Sequence, residues 1–185
     1  MRRWRGFLDV PATGAGLSAA AELGRHLRLD IVYHDRLSRD RDTAKALNPF
    51  LTLETDGPLP WHMGPQFEGQ EITEGTLKAA QFLACNPHIC PIGGEAFGWW
   101  YERWTKWIDR LKDGRLKVGV ITHNRNLQVL YSRHGGCFYP KLYDCVGPSP
   151  LSVHVFSRGA AAPWGGCAQP PGVYIIRHAP TLWGT

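Results

Sequence analysis

Long hydrophobic segments are missing from this sequence of 185 residues, in which 43% of the residues are apolar and 20% are charged. No apolar run approaches the roughly 18 residues that a membrane-spanning helix requires. The first five residues, MRRWR, are basic but are not followed by the apolar segment of a signal peptide. We therefore expect no membrane partner and a cytoplasmic location.

Cysteine pairs and runs of basic residues are also lacking. The five cysteines are odd in number and contain no Cys-x-x-Cys pair, which argues against a disulfide framework or a zinc site and favours reduced thiols. The net charge is +5, yet the basic residues are scattered along the chain. This pattern suits a phosphorylated small molecule as well as nucleic acid.

Short apolar segments alternate with amphipathic ones. Near-continuous apolar stretches, typical of strands covered on both faces, predict strands over residues 30–33, 117–122, 152–156 and 173–176. A three-to-four spacing of apolar residues predicts helices over residues 17–27, 37–47 and 97–111. The alternation indicates a layered α/β fold, and the length fits a single domain over residues 1–185.

The segment 157–172 interrupts this alternation. It is dominated by Gly, Pro and small residues, so we predict a linker or a surface loop between two strands. Residues 57–71 are similarly rich in Gly and Pro and are expected to form a long ordered loop, a kind of segment that often carries function.

Two of the predicted strands end in histidine. Arg177 and His178 follow one strand, and His123 follows another. Ligands of open α/β sheets bind beyond the carboxyl ends of the strands, so both imidazoles could reach one crevice if these strands are neighbours. Histidines beside arginines indicate an anion-binding site, although a structural role is equally compatible with either histidine taken alone.

Four motifs, taken together, resemble those of one family. Residues 177–181, RHAPT, resemble the Arg-His-Gly-x-Thr motif of the histidine phosphatase superfamily, the phosphoglycerate mutase-like enzymes. In that family the motif normally opens the chain. The other segments that resemble family motifs are VYHDRLSRDRDTAKAL, IGGEAFGWWYERW and GVITHNRNLQVL. The residues after Met1 are similar to the continuation of the Arg-His motif, so joining Thr185 to Met1 would restore the family's order.

The resemblance implies a fold and a mechanism. The fold would be a three-layer sandwich with a mostly parallel central sheet, circularly permuted so that residues 157–172 join the ancestral termini. His178 would attack phosphorus and form a phosphohistidine, His123 would assist, and neither a metal nor another cofactor would be required. Phosphate binding is assigned by this resemblance to Arg177, Arg39, Thr181, Arg5 and Gly6. For Arg5 a solvated position is equally compatible.

The family's general acid has no counterpart. The family carries a Glu at the position that corresponds to Pro60 and Trp61, and neither side chain can transfer a proton. His62 and Glu68 are the nearest candidates for the proton donor, and His62 is slightly preferred. A loop histidine that packs beside Trp61 is an equally good interpretation of His62.

The resemblance favours hydrolysis of a phosphomonoester, either a small metabolite or a nucleotide, with nucleic acid not expected as a partner. A mutase is less favoured because no dedicated basic segment is visible. A catalytically impaired member that binds a phosphorylated ligand or a protein is the alternative from another class. A metal-dependent hydrolase using His62, His123 and His178 is disfavoured because no carboxylate accompanies them at ligand spacing. A homodimer stays open.

Aromatic residues near the expected pocket suggest one further feature. Trp4, Trp61 and Trp183 would flank the pocket and could stack on a base or a sugar of the substrate.

Overall fold

The computed structural model describes residues 3–111, 116–135, 149–157, 160–163 and 172–181. Helices and strands alternate along most of this chain. In order they are α1 (Gly14–Leu27), β1 (Ile31–His34), α2 (Ser38–Leu47), β2 (Thr52–Glu54), α3 (Glu74–Cys85), α4 (Phe97–Leu111), β3 (Lys117–Thr122), α5 (Asn124–Gly135), β4 (Val153–Ser157), β5 (Ala160–Pro163) and β6 (Gly172–Arg177).

The strands form one six-stranded sheet in the order β2-β1-β3-β6-β4-β5. The first four strands of this order are parallel, β4 is antiparallel to β6, and β5 is antiparallel to β4. The register pairs Thr122 of β3 with Arg177 of β6. Because these two parallel strands end side by side, the residues that follow them emerge at the same edge of the sheet.

Helices cover both faces of the sheet. On β6, Val173 and Ile175 pack into one core with residues of α3, α4 and α5. Tyr174 and Ile176 pack into the opposite core with residues of α1 and α2. This alternation is the two-residue period of a strand buried on both sides. The predicted α/β fold, with a mostly parallel sheet between layers of helices, is confirmed.

The close packing of α1 on α2 depends on a glycine. A Cβ atom added at Gly24 of α1 would lie 2.1 Å from the carbonyl oxygen of Leu47, the last residue of α2. The two helix backbones therefore meet at a distance that only glycine permits. α1 itself begins after Thr13, whose Oγ1 accepts a hydrogen bond from the amide of Gly16, as expected of an N-cap.

Several elements were not predicted. The linker prediction over residues 157–172 is wrong for β5, since Ala160–Pro163 forms an edge strand on β4, whereas residues 158–159 and 164–171 lie outside the described residues. Strand pairing is made by backbone groups, so a run of alanines can form a strand when a partner is available. The predicted strands and helices otherwise match observed elements closely, and α3, α5 and β2 are additions.

No helix in the described part of the chain is long and apolar enough to cross a membrane.

Candidate active site

His178 lies directly after β6 and is almost completely buried. Its Nδ1 is 2.7 Å from the carbonyl oxygen of Ala179, so Nδ1 carries the ring proton and donates it to that oxygen. The amide of His178 donates to the carbonyl of Thr122, and the amide of Ala179 donates to Oγ1 of Thr43. Burial, His123 and Arg39 hold the pKa of His178 well below its ordinary value. The ring is therefore neutral and fixed, with its lone pair on Nε2.

His123 follows β3 and faces His178 across the sheet edge. The two ring centroids are 5.3 Å apart. Nε2 of His123 lies 2.7 Å from Oδ2 of Asp35 and 3.6 Å from Oδ2 of Asp40. Burial lowers the pKa of His123 well below its ordinary value, and the positive charge of nearby Arg39 adds to this effect. The two histidines of the sequence motifs are thus brought together, as the parallel pairing of β3 and β6 requires.

Asp35 and Asp40 are carboxyl groups that the sequence analysis did not single out, and both are fully buried. Asp35 follows β1, and its Oδ1 accepts a hydrogen bond of 2.8 Å from the amide of Leu37. Burial raises the pKa of Asp35 to about 6, although the Leu37 amide opposes that shift. Burial and the neighbouring Asp35 raise the pKa of Asp40 well above its ordinary value. The position of Asp35 at the end of a buried strand was the available signal.

Arg39 lies in the first turn of α2 with only 1% of its surface exposed. Its Nη1 donates to the carbonyl of Leu8 at 2.6 Å and its Nη2 to the carbonyl of Gly6 at 2.8 Å. Nε is 3.5 Å from Oδ2 of Asp40. The guanidinium thus holds residues 6–8 against α2. Nη1 and Nη2 of Arg39 each carry two N–H groups, and each uses one of them to bind a loop carbonyl. The second N–H of each nitrogen is not used by these two bonds.

Arg5 joins the same cluster from the N-terminal loop. Its Nη1 donates to Oγ1 of the buried Thr181 at 2.6 Å. Burial lowers the pKa of Arg5 to about 10, and the charges of Arg39 and Arg177 contribute in the same direction. Arg177, at the end of β6, is half-buried. Arg5 therefore lies beside Arg39 and Arg177, near the two histidines. The alternative expectation, that its side chain is solvated and outside the site, is wrong.

Gly6 turns the chain between Arg5 and Phe7. Its φ of +46° is in the left-handed region, and a Cβ there would come within 2.6 Å of Oε1 of Glu68. Glycine is therefore the residue that this turn accommodates.

His62 and Glu68 form a pair beside this turn. Nε2 of His62 is 3.5 Å from Oε1 of Glu68, and the same oxygen accepts a hydrogen bond of 3.1 Å from the amide of Phe7. The His62 ring stacks on Phe7 with centroids 4.4 Å apart. Among the described residues, no hydrogen bond or ion pair joins His62 or Glu68 to either histidine of the sheet edge.

A group of possible metal ligands surrounds His123. Ligand atoms of Asp35, Asp40 and His123 all lie within 4.8 Å of one another. The expectation that no carboxylate accompanies the histidines at ligand spacing is therefore wrong for His123. The sequence could not show this because the carboxylates come from β1 and α2. The positive charges of Arg39 and Arg5 act on the same ring, and they favour an anion over a divalent cation at this edge.

Two of the tryptophans expected at the pocket belong to the hydrophobic core. Trp4 and Trp61 are both buried, and Trp61 lies against Trp100 with centroids 6.2 Å apart. The Trp61 indole N–H is used by the carbonyl of Glu95. The prediction that they stack on a ligand is wrong, because their rings are already covered by other aromatic side chains. Trp183 lies outside the described residues.

Comparison with protein families matches residues 1–162 to the histidine phosphatase superfamily, branch 1. The chain belongs to this superfamily. The matched residues include Arg39 and His123 and end before Arg177 and His178. No curated protein matches the chain by sequence.

Solved structures share the fold of this superfamily member. Alpha-ribazole phosphatase from Shigella flexneri is 20% identical, with a TM-score of 0.66 over 93% of this chain and 91% of that one. A mycobacterial glucosyl-3-phosphoglycerate phosphatase in complex with VO3 is 18% identical, with a TM-score of 0.67 over 88% and 90% of the two chains. A protein from Thermus thermophilus is 25% identical, with a TM-score of 0.58 over 72% and 75%.

Proposed function

We propose that this protein is a phosphomonoester hydrolase that works through a phosphohistidine on His178. The observation that carries the proposal is the state of His178, a buried neutral ring whose Nδ1 proton is held by the Ala179 carbonyl. An imidazole fixed in this way presents the Nε2 lone pair as a nucleophile. Family membership and the names of the two phosphatases that share the fold support the same class of reaction.

The surrounding side chains suit a phosphoryl group. Arg177, Arg39 and Arg5 supply positive charge and N–H donors, and Thr181 and the turn at Gly6 complete the proposed phosphate site. Nε2 of His178 would bond to phosphorus as the ester P–O bond breaks, and water would then release phosphate. Such a displacement depends on positioning and on charge stabilisation, which these donors provide without a metal or cofactor.

The proposed substrate is a small phosphorylated metabolite or a nucleotide, and nucleic acid is not expected as a partner.

We also propose that the protein is cytoplasmic and that its single domain suffices for the reaction. The sequence suggests His62, which is slightly preferred, or Glu68 as the proton donor. Size-exclusion chromatography with light scattering would distinguish a monomer from a homodimer.

We further propose that the order of the family motifs is circularly permuted. The proposal is supported by the position of β6 in the middle of the sheet, parallel to β3. The segment before α1 also contacts the RHAPT motif, through an amide of Thr13 that donates to the Pro180 carbonyl and a bridge between Ala12 and Thr181. A chain rearranged to place residues 172–185 before Met1 should fold and keep its activity. An unfolded or inactive rearranged chain would contradict the permutation.

A phosphate-binding module without catalysis is the second candidate. It is favoured by the buried Pro60 and Trp61 at the position where the family carries its acid.

One experiment separates the two candidates. Phosphate release is measured from sugar phosphates, phosphoglycerates and nucleotides in EDTA, for the parent and for His178→Ala. His26→Ala serves as the matched control because His26 is an exposed histidine on α1. Hydrolysis should survive EDTA and the control substitution and disappear in His178→Ala, together with the phosphohistidine trapped by rapid quenching. No turnover of any ester, with vanadate still protecting the fold against heat, would instead establish the binding module.

A further inference from the structure

Both oxygens of the Asp35 carboxyl group are within hydrogen-bond distance of a partner. Its Oδ2 lies 2.7 Å from Nε2 of His123, and its Oδ1 accepts the Leu37 amide at 2.8 Å. Both oxygens are thus engaged, and the side chain is fully buried. A buried carboxylate that contacts one ring nitrogen of a histidine orients the ring and stabilises its protonated form. Because Nε2 is engaged by Asp35, Nδ1 is the ring nitrogen with which His123 can serve a substrate.

Asp40 adds a second carboxyl to the same imidazole. It is fully buried, and neither of its oxygens has a hydrogen-bond partner within the described residues. Its Oδ2 is 3.6 Å from Nε2 of His123 and 3.5 Å from Nε of Arg39. Two carboxylates this close in a buried site do not both ionise, so one of them keeps a proton. The trio of Asp35, Asp40 and His123 therefore stores one proton on its carboxyl groups. The ring centroid of His123 lies 5.3 Å from that of His178, the proposed nucleophile.

The alternative donors, His62 and Glu68, are engaged with each other and with Phe7. Glu68 accepts the Phe7 amide and contacts His62, whose ring is stacked on Phe7. This pair lies beside the turn at Gly6, whereas His123 shares the sheet edge with His178.

We propose that His123, oriented by Asp35, is the proton donor to the leaving oxygen. The inference rests on the function proposed above for His178. Burial, and after it the charges of Arg39, Arg5 and Arg177, lower the pKa of His123. A bound phosphoryl dianion offsets those positive charges, and the stored proton then resides on the His123 ring. In these terms His123 is a catalytic residue and Asp35 is a positioning residue.

The atoms balance over the two steps. As the bond from Nε2 of His178 to phosphorus forms, the ester P–O bond breaks, and the leaving oxygen keeps the bonding pair and takes the proton from Nδ1 of His123. In the second step water attacks phosphorus, and neutral His123 accepts the proton that the water loses. The N–P bond breaks with its electron pair staying on Nε2 of His178, and phosphate leaves. The proton on His123 then returns to the carboxyl groups of Asp35 and Asp40, which restores the initial state.

Leaving-group dependence tests the proposal directly. An alkyl phosphate needs a proton on its leaving oxygen, whereas 2,4-dinitrophenyl phosphate releases a stable anion. Asp35→Asn should lower kcat/KM for the alkyl ester by about 100-fold or more, and for the dinitrophenyl ester by less than about tenfold, since general acid catalysis contributes roughly 10²–10⁴-fold. Asp56→Asn is the matched control, because the side chain of Asp56 is 71% exposed and forms its ion pair with the exposed Arg36. It should leave the ratio of the two rates unchanged.

Several results would overturn the inference. If Asp35→Asn lowers kcat/KM equally for both esters, Asp35 contributes only to folding or to phosphate binding and not to proton donation. A selective loss on the alkyl ester in His62→Gln or Glu68→Gln would assign the donor to that pair, and this arm does not depend on Asp35→Asn folding. Loss of parent activity in EDTA, restored by a divalent cation, would assign the trio to a metal. A parent that hydrolyses neither ester and forms no phosphohistidine overturns the proposed function itself.

Discussion

Replacing Arg39 by methionine should weaken both the fold and phosphate binding. The guanidinium is 1% exposed and donates to the carbonyls of Gly6 and Leu8. Hydrogen bonds to charged groups are worth about 1.5–3 kcal/mol each. The loop carbonyls are near enough to the surface to regain water, so the lower value applies, and two bonds give a loss of about 3 kcal/mol. Asp40 also loses its neighbouring cation and would be held in its neutral form.

This loss leaves a folded protein to assay, because domains are typically stable by about 5–15 kcal/mol. Urea unfolding of Arg39→Met should therefore show a free energy of unfolding about 3 kcal/mol below that of the parent. Loss of a charge-assisted bond to the ligand should in addition raise the vanadate dissociation constant by at least about tenfold.

The matched control for this variant is Arg36→Met. Arg36 is a neighbouring arginine that is more than half exposed, 3.9 Å from Asp56 and over the Phe7 ring. Exposed ion pairs contribute at most about 1 kcal/mol, so this variant should unfold close to the parent. Equal unfolding of the two variants would refute the role of the Gly6 and Leu8 contacts, and unchanged vanadate affinity would remove Arg39 from the phosphate site.

Three other substitutions have directions that the structure determines. Gly24→Ala should lower the Tm in thermal unfolding, because the added Cβ would lie 2.1 Å from the Leu47 carbonyl oxygen. Without that contact, alanine would stabilise a helix by about 1 kcal/mol relative to glycine. A raised Tm would therefore contradict the close packing of α1 on α2. The folded pKa of His178 is lowered, so the unfolded chain binds a proton below about pH 6.5 that the folded chain does not, and the parent loses stability as the pH falls. His178→Gln should therefore lose less stability than the parent between about pH 7 and 5, by up to about 1.4 kcal/mol per pH unit, and parallel urea-unfolding profiles would contradict this. Asp35 acts in the opposite direction: its pKa is raised from 3.8 to about 6, so the parent loses stability as the pH rises through this window, and Asp35→Asn should not share that loss in the same profiles.

The hydrophobic pattern of the chain predicted most of the central elements. The segments 117–122 and 173–176 correspond to β3 and β6, and the helix predicted over residues 97–111 is α4. These elements are buried through their own side chains, so their periodicity is local information. The edge strands β2 and β5 were missed because they are held by backbone pairing to a neighbouring strand, which a local pattern does not contain.

The motifs of the chain by themselves identified His178, His123 and Arg39 as a group, and the family to which they point is confirmed. Only the tertiary structure decided what surrounds them. Asp35 reaches His123 across 88 positions of sequence, because the parallel strands β1 and β3 place their carboxyl ends at one edge whatever their distance along the chain. Arg5 reaches Thr181 across 176 positions, because the N-terminal loop packs against the segment that follows β6. The sequence placed Trp61 in a loop beside the pocket, and only the structure shows that its ring packs against Phe97 and Trp100 in the core. Residue types and their order determined the family, and the burial and charge at each side chain followed from the contacts that the sheet creates.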